Sequence, residues 1–472
     1  MFDVVVIGGG VIGGMILRQL TKYQLSCALL EKNSDVSGGQ SRANSGIVHS
    51  GLDAKEGTLK ARFNVLGNKL MPAVCEELGV NYVNNGSLIV AFNEEEAQIL
   101  QELKARGEKN GVVGLRIIDK EELNKIEKNI SANAICALHA PTGGIVCPYG
   151  LTIAAIGNAM DNGASLYTDF EVCAIDKNSE GFTITSTQGA SVKAKAVINC
   201  AGFNCDKIAS LIGDTSFKMG ARRGEYILLA KNDFVNNTLF FTPTKKGKGI
   251  LISQTVDGNV ILGPTAEECE GNITTTSASG LESVISKAKE MCNNIPLFDT
   301  ITSFAGVRAY CDRHDFIIEK SAVDNRFINV AGIESPGLTS APAIAEYVVN
   351  ELVGSLMELK SNESFNGKRE VAFRELPITQ KNEIIKNDPS FGKLVCKCEI
   401  VTEGEVVKAI KQNPPARTID GIKLRTRSGM GRCQGGFCQS RIAEILAREL
   451  NLSFEEVTKK GKGSEIVVGV SK

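Results

Sequence analysis

Asp3-Val4-Val5-Val6-Ile7-Gly8-Gly9-Gly10-Val11-Ile12-Gly13 is the stretch that decides how the front of this 472-residue chain folds. Val4 to Ile7 are β-branched and suit a buried strand, whereas Ile12, Met15, Ile16 and Leu20 recur at helical spacing. Residues 26–30 read as a second strand, closed by Glu31 eighteen residues after Gly13. The result is a βαβ unit with Gly8, Gly10 and Gly13 in the G-x-G-x-x-G pattern between strand and helix. The first glycine makes the turn, the second lets a pyrophosphate approach the backbone, and the third lets helix and strand pack closely at the helix N-terminus. Glu31 is placed to accept a ribose hydroxyl, and an acid there argues against a 2′-phosphate. The pattern predicts a dinucleotide without choosing between NAD and FAD. With a single fingerprint in the chain, two tandem Rossmann units are not expected.

Working outward, the length calls for two or three domains, since single cores stop growing near about 250–300 residues. Apolar residues make up 43% and charged residues 23%, a globular composition. Fifty-three basic against 54 acidic side chains leave a net charge of −1, so no overall field recruits nucleic acid or an anionic membrane. The start lacks a basic leader, and no apolar run is long enough to span a bilayer, which predicts a cytoplasmic protein. Helical stretches at 59–77 and 93–110 alternate with strands at 86–92 and 181–186, so the body is mixed α/β. No internal repeat is present. Residues 354–392 are rich in Ser, Asn, Lys and Glu and read as a linker. A C-terminal module then carries two helical stretches (403–412 and 439–450) and ends in a lysine-rich polar tail, 456–472.

Three further segments carry a resemblance: residues 38–51 (GGQSRANSGIVHSG), 199–202 (NCAG) and 332–340 (GIESPGLTS). They are similar to the flavin-contacting segments of the D-amino-acid-oxidase-like FAD oxidoreductases. Within these the chain resembles the glycerol 3-phosphate dehydrogenase and oxidase branch, with L-2-hydroxyglutarate dehydrogenases close by. The resemblance spans residues 1 to about 352. It implies a Rossmann-like FAD domain (about 1–80, 145–215 and 305–353) interleaved with an antiparallel-sheet substrate domain (about 81–144 and 216–304). It also implies FAD contacts from Arg42, Asn44, Ser45, Gly46, Ala201, Gly202, Gly332, Gly337, Leu338 and Thr339 beside the glycine fingerprint and Glu31.

Oxidising an alcohol on flavin needs a base for the hydroxyl proton, and histidine titrates near neutrality. His49 lies in the segment where the resembled family places such a residue; His139 and His314 are expected to be structural. A small anionic substrate needs fixed cations. Arg308 and Lys248 align with substrate-side basic residues of the same branch, with Ser335 as a neutral donor. Arg223 is equally explained by an ion pair with Glu225.

Ten of the fourteen cysteines are scattered and behave as small hydrophobes. The other four form Cys396-Lys397-Cys398 and, after thirty-four residues, Cys433-Gln434-Gly435-Gly436-Phe437-Cys438. Four thiolates serve either zinc or an iron-sulfur cluster, and zinc sites usually place two residues between paired cysteines, not one and four. The spacing and residues 426–431 resemble the bacterioferritin-associated-ferredoxin-like domain, which implies a small, mainly helical 2Fe-2S module at 393–455. Arg425, Arg427, Arg432 and Lys397 are expected to offset thiolate charge or to dock an acidic acceptor. Together these readings describe an FAD-dependent dehydrogenase oxidising glycerol 3-phosphate to dihydroxyacetone phosphate, with electrons passed from FAD to a 2Fe-2S cluster and on to a partner redox protein. The alternatives are a 2-hydroxy acid such as L-2-hydroxyglutarate as substrate, or an electron-transfer subunit of a larger complex.

Overall fold

The computed structural model describes residues 1–243, 249–271 and 273–469. Among them the strands form two large sheets, one of eight and one of nine. The first sheet is built on Phe2–Ile7, paired in parallel with Cys27–Leu30 on one side and Ser191–Asn199 on the other. Ser165–Tyr167 extends it in parallel beyond Cys27–Leu30. Phe327–Ala331 joins the far end of Ser191–Asn199, also in parallel, while an antiparallel hairpin (Val172–Lys177, Phe182–Ser186) joins its near end. Val4, Val5 and Val6 are fully buried, because helices Val11–Leu20, Pro148–Asp161 and Gly337–Tyr347 pack on one face and Cys205–Ser210 on the other. Continuous β-branched runs are what a doubly covered parallel sheet requires.

The second sheet contains Ser87–Ala91, Cys136–Ala140 and Arg116–Asp119 from one chain segment, and Thr238–Phe241, Leu251–Gln254, Asn259–Gly263 and Met219–Lys231 from another. Its neighbours are antiparallel except where the two segments meet: Thr238–Phe241 runs parallel to Ser87–Ala91. The long strand Thr300–Cys311 pairs with Met219–Lys231 along its whole length, so this sheet continues past residue 305 toward the dinucleotide sheet.

Residues 354–392 are not a loose connection. Ser361 bridges Tyr23, the Asn362 amide donates to the Lys22 carbonyl, and the Arg369 amide donates to the Glu77 carbonyl. The Asn366 carbonyl accepts from the Asn158 and Asn162 side chains, its amide donates to Asn162, and Ile378–Asn387 is helical. Hydrogen bonds hold this strap, which is why hydrophobic spacing does not reveal it. The tail folds back likewise: Val457 is buried, and Lys459 pairs with Asp420 at 2.9 Å. The C-terminal module has its own core of Cys396, Val406, Ile410, Ile422, Ile442 and Leu446 among others. It adds a helix, Ile419–Thr426, that apolar spacing did not disclose; its Leu424 reaches into the core of the first domain. Among the described residues no helix is long and apolar enough to cross a membrane.

Candidate active site

The glycine turn has the shape its residues require. Gly8 sits at φ +112°, and a Cβ on Gly13 would strike the Gly8 carbonyl, so helix Val11–Leu20 starts against the strand as closely as backbone allows. The helix cap, Gly10, offers no side-chain hydrogen bond; Ser41 comes in from residues 38–46 and accepts from the Val11 amide at 2.9 Å. Glu31 is buried, its carboxylate held by the Gly9 amide at 2.7 Å and by Asn33. Burial pushes its carboxyl above the ordinary range although these hydrogen bonds pull the other way. A helix N-terminus, a hydroxyl and a buried acid form the donor set that a diphosphate and a ribose fit.

The other expected contacts surround this turn. Gly202 (φ +59°) faces the Gln40 amide group, and the Ala201 amide points to Asn199. Asn44 accepts from the Gly46 amide at 2.9 Å and so braces its own loop. Gly332 lies at φ +66° against Cys311, and Gly337, Leu338 and Thr339 open the helix Gly337–Tyr347. Arg42 goes elsewhere: its guanidinium reaches Asp420 of the C-terminal module at 3.2 Å.

His49 and Ser335 are brought together, with Nε2 3.3 Å from the hydroxyl. Thr339 accepts from the His49 amide at 2.9 Å, and the ring lies 5.9 Å from that of Phe240. Sequence reasoning missed the residues that fix this pair. Asn64 and Asn68, on helix Leu59–Glu77, both donate to the His49 carbonyl. That helix can approach Gly337–Tyr347 because Gly67 leaves room for the Thr339 carbonyl. Lys60 on the same helix pairs with Glu334 at 2.8 Å and so anchors the loop that carries Ser335. Two asparagines four residues apart on one helical face, with a glycine between them, were the available signal.

Arg308 lies on Thr300–Cys311 opposite Arg222, and its guanidinium meets the buried Tyr226 hydroxyl. Arg222 is matched with Glu268 at 2.7 Å, and Arg223 with Glu267 and Glu225, whereas Arg308 has no carboxylate partner among the described residues. Lys248 lies outside the described residues.

In the C-terminal module the four cysteines converge as two sulfur pairs. Cys398 and Cys433 are 3.7 Å apart, and Cys396 hydrogen-bonds Cys438. A tetrahedral metal with bonds of about 2.3 Å separates two thiolates by about 3.8 Å, so the Cys398–Cys433 pair has the span of one iron's ligands. The Cys438 thiol lowers the pKa of Cys396, helped by the amides of Gly429, Glu399 and Cys398, which favours its thiolate form. The expected neighbouring cations are used differently. Arg425 grips Asp35 through two hydrogen bonds of 2.7 and 2.9 Å, Arg432 pairs with Asp299, and Arg427 pairs with Glu399 and Asp257. Three of the four therefore join the module to the body rather than ring the sulfurs; Lys397 stays exposed.

Comparison with known proteins agrees with this geometry. Residues 3–351 match the FAD dependent oxidoreductase family, and residues 394–448 match the BFD-like [2Fe-2S] binding domain. The chain belongs to the FAD-dependent oxidoreductase family. Over its whole length this oxidoreductase is 44% identical to a glycerol 3-phosphate dehydrogenase of Caloramator mitchellensis, of which it covers 99%. Over 76% of its length it is 33% identical to a glycerol 3-phosphate oxidase of Mycoplasma genitalium, covering 96% of that protein. The solved, FAD-bound L-alpha-glycerophosphate oxidase of Mycoplasma pneumoniae superposes with a TM-score of 0.74 at 31% identity, covering 78% of this chain and 98% of that one. The cofactors of this oxidoreductase are FAD and a 2Fe-2S cluster.

A cleft of about 930 Å³ lies where the FAD-binding body, the second sheet and the iron-sulfur module meet. Residues 42–46 line one side, while Met430 and Gln434, next to the cysteine loop, line another. Tyr149 donates to the Met430 sulfur at 3.4 Å across it. The module is thus a wall of the oxidoreductase body and not an appended domain.

Proposed function

We propose that this oxidoreductase oxidises glycerol 3-phosphate to dihydroxyacetone phosphate in the cytoplasm, and that the electrons leave through the 2Fe-2S cluster to a partner redox protein. The observation that carries the reading is His49 Nε2 at 3.3 Å from Ser335, in a chain whose relatives oxidise this substrate by name. When bound, FAD supplies a hydride acceptor, and the cluster takes up electrons singly.

The remaining work falls to side chains. Neutral His49 takes the proton of the substrate hydroxyl through Nε2, and Ser335 holds the same hydroxyl in line. Asn64 and Asn68 fix the His49 backbone, so the imidazole cannot swing away when it becomes charged. Arg308, with the Tyr226 hydroxyl at its side and no carboxylate among the described residues to neutralise it, holds the phosphate, and Lys248 is the second cation in this reading. The FAD contacts we assign are Gly8, Gly10, Gly13, Glu31, Asn44, Ser45, Gly46, Ala201, Gly202, Gly332, Gly337, Leu338 and Thr339. Cys396, Cys398, Cys433 and Cys438 ligate the cluster. Electron exit through it is supported by the module's place beside residues 42–46.

The test is an anaerobic absorption titration of the full-length protein. Glycerol 3-phosphate should bleach the flavin at stoichiometric amounts, with cluster absorbance following. Bleaching by L-2-hydroxyglutarate in its place would move the assignment to a 2-hydroxy acid. No bleaching by either would leave an electron-transfer subunit.

A further inference from the structure

Of the nineteen phenylalanines in the chain only two are exposed, and both belong to the surroundings of the cysteine loop. Phe437 lies between Cys433 and Cys438 and is 87% exposed. Phe298, 82% exposed, precedes Asp299, whose carboxylate pairs with Arg432 of the same loop at 3.3 Å. A third exposed apolar side chain, Ile400, follows Cys398 by two residues. Its backbone is left-handed at φ +55°, where a β-branched residue is strained. The turn keeps that shape because the buried Glu399 carboxylate is gripped by Arg427 at 3.0 Å and Lys231 at 3.1 Å. Glycine would fit this backbone without strain, so the isoleucine is retained against local stability, as side chains at working surfaces are.

The sulfurs are graded toward the same face. Cys396 and Cys438 are buried, whereas Cys398 is exposed and Cys433 partly so, which makes Cys398 and Cys433 the solvent-side pair. None of Phe298, Ile400 and Phe437 lines the 930 Å³ cleft, so this is an outer face of the module. Exposed apolar side chains gathered round one site mark a contact with another molecule. Charge decides which molecule. The carboxylates Glu399 and Asp299 are covered, while the cations that match them, Lys231 and Arg432, are exposed. Lys397, between the two cysteines of the first pair, is exposed and has no carboxylate partner among the described residues. The outward charge is therefore positive, which steers an acidic protein in and turns a basic one away.

We propose that this face docks a small acidic one-electron carrier protein, with Phe298, Ile400 and Phe437 as the apolar contact and Lys397 and Arg432 as the orienting charges. It rests on the electron exit proposed above and adds to it the surface and the charge of the acceptor. Each substrate oxidised yields two electrons and two protons; two carrier molecules take one electron each, and the protons pass to solvent. A few apolar side chains ringed by cations suit the small, transient contacts that electron-transfer partners make.

The probes are plastocyanin, a small acidic blue-copper protein, and cytochrome c, a small basic haem protein, both able to take one electron from a reduced flavoprotein. Full-length protein, with FAD and iron quantified, is titrated calorimetrically with each oxidised probe, and plastocyanin reduction is followed after stoichiometric photoreduction. Plastocyanin should bind one to one, about tenfold more weakly at about 0.15 M salt than at low salt, and cytochrome c should not bind. Carbodiimide, which joins an ammonium to a carboxylate, should couple Lys397 to plastocyanin. Lys397→Glu and Phe437→Ser should each weaken binding about tenfold at unchanged FAD and iron content. Ile400→Gly should raise the denaturation midpoint of the cluster absorbance and yet weaken plastocyanin binding, whereas a residue serving only the fold would move both the same way. Lys397→Glu carries the test alone should Phe437→Ser lose iron. The proposal is overturned if cytochrome c binds as tightly as plastocyanin, or if the parent is a dimer that Phe437→Ser dissociates, since the face then belongs to a second copy of this chain. Cys396→Ser separates it from the reading beneath it. If that variant, holding FAD without a cluster, reduces plastocyanin as fast as the parent, electrons bypass the cluster and both readings fall. If reduction needs the cluster but Lys397→Glu binds plastocyanin as tightly as the parent, the docking face alone falls.

Discussion

The two cofactor regions of this protein are built by opposite means. The dinucleotide turn is made from residues within twenty-three positions of one another: Gly8, Gly13 and Glu31 act through backbone shape and a buried acid held by its own loop. The cysteine module has its ligands in two short clusters, but what sets it against the body is a group of ion pairs between residues as far as 390 positions apart. Arg427 is the centre of that group. Its backbone takes a left-handed conformation at φ +68°, and its buried guanidinium donates to Glu399 at 3.0 Å, Asp257 at 2.6 Å, Asn259 at 2.9 Å and Tyr149 at 3.4 Å. Cofactor chemistry is thus written locally in both regions, whereas the placement of one cofactor relative to the other is not.

The largest effect expected from breaking this arrangement comes from the cysteines. Cys396→Ser and Cys438→Ser should each abolish the cluster, seen as loss of bound iron and of the paramagnetic signal of the reduced protein. FAD content and flavin bleaching by glycerol 3-phosphate should survive, because no fingerprint residue depends on the sulfurs. Loss of FAD together with iron would mean that the two regions are not separable. Next comes His49→Gln, which should slow flavin bleaching about 10²–10⁴-fold in stopped-flow mixing at unchanged FAD content. A fall of less than about tenfold would assign the proton to another base.

Arg427→Ala tests placement directly. It takes from Glu399 and Asp257 the buried cation they share and leaves each one other partner, Lys231 and Arg374, so the loss falls below the about 3–5 kcal/mol of breaking a buried pair outright. Residues 354–392 should then become sensitive to limited proteolysis, and the cluster absorbance should be lost at lower denaturant than the flavin. Arg427→Lys should recover only part of this, since an ammonium cannot span four acceptors fixed by a planar fork. Coincident loss of both chromophores at the parent's midpoint would show that the network does not hold the module.

What could be read in the sequence follows the same division. Apolar periodicity places the helices Leu59–Glu77 and Gln439–Leu450 at their observed bounds. Six of the ten scattered cysteines are buried as small apolar groups, and burial pushes the Cys27 thiol up to about 12, whereas Cys173 is exposed and Cys136, Cys147 and Cys269 are only partly covered. His49 and Ser335 were legible because both lie in segments of a known pattern. Asn64, Asn68 and Lys60 were not, because their roles depend on how one helix crosses another. The strap at 354–392 and the helix Ile419–Thr426 were missed for a related reason: side-chain hydrogen bonds and contact with another domain hold them, and neither leaves an apolar repeat. The same blindness turned Arg425, Arg427 and Arg432 into neighbours of the sulfurs, when their charges answer carboxylates on the body.

The smallest expected effect sharpens the comparison at the local end. Gly13→Ala places a methyl group against the Gly8 carbonyl, and overpacking of this kind costs about 1–3 kcal/mol. The helix must back away from the strand, which tilts its N-terminal amides off the diphosphate. FAD affinity should therefore fall more than overall stability, read as a weaker dissociation constant for FAD at a nearly constant melting temperature of the iron-sulfur signal. Gly392→Ala is the matched control: it lies in the strap away from the fingerprint, and the nearest atom to its Cβ position is a side-chain methyl of Ile385 at 3.3 Å, so the same added methyl should leave FAD binding unchanged. If both alanines behave alike, close packing at Gly13 is not what the fingerprint contributes here. If they differ as expected, the turn works through one backbone contact that no distant ion pair can replace.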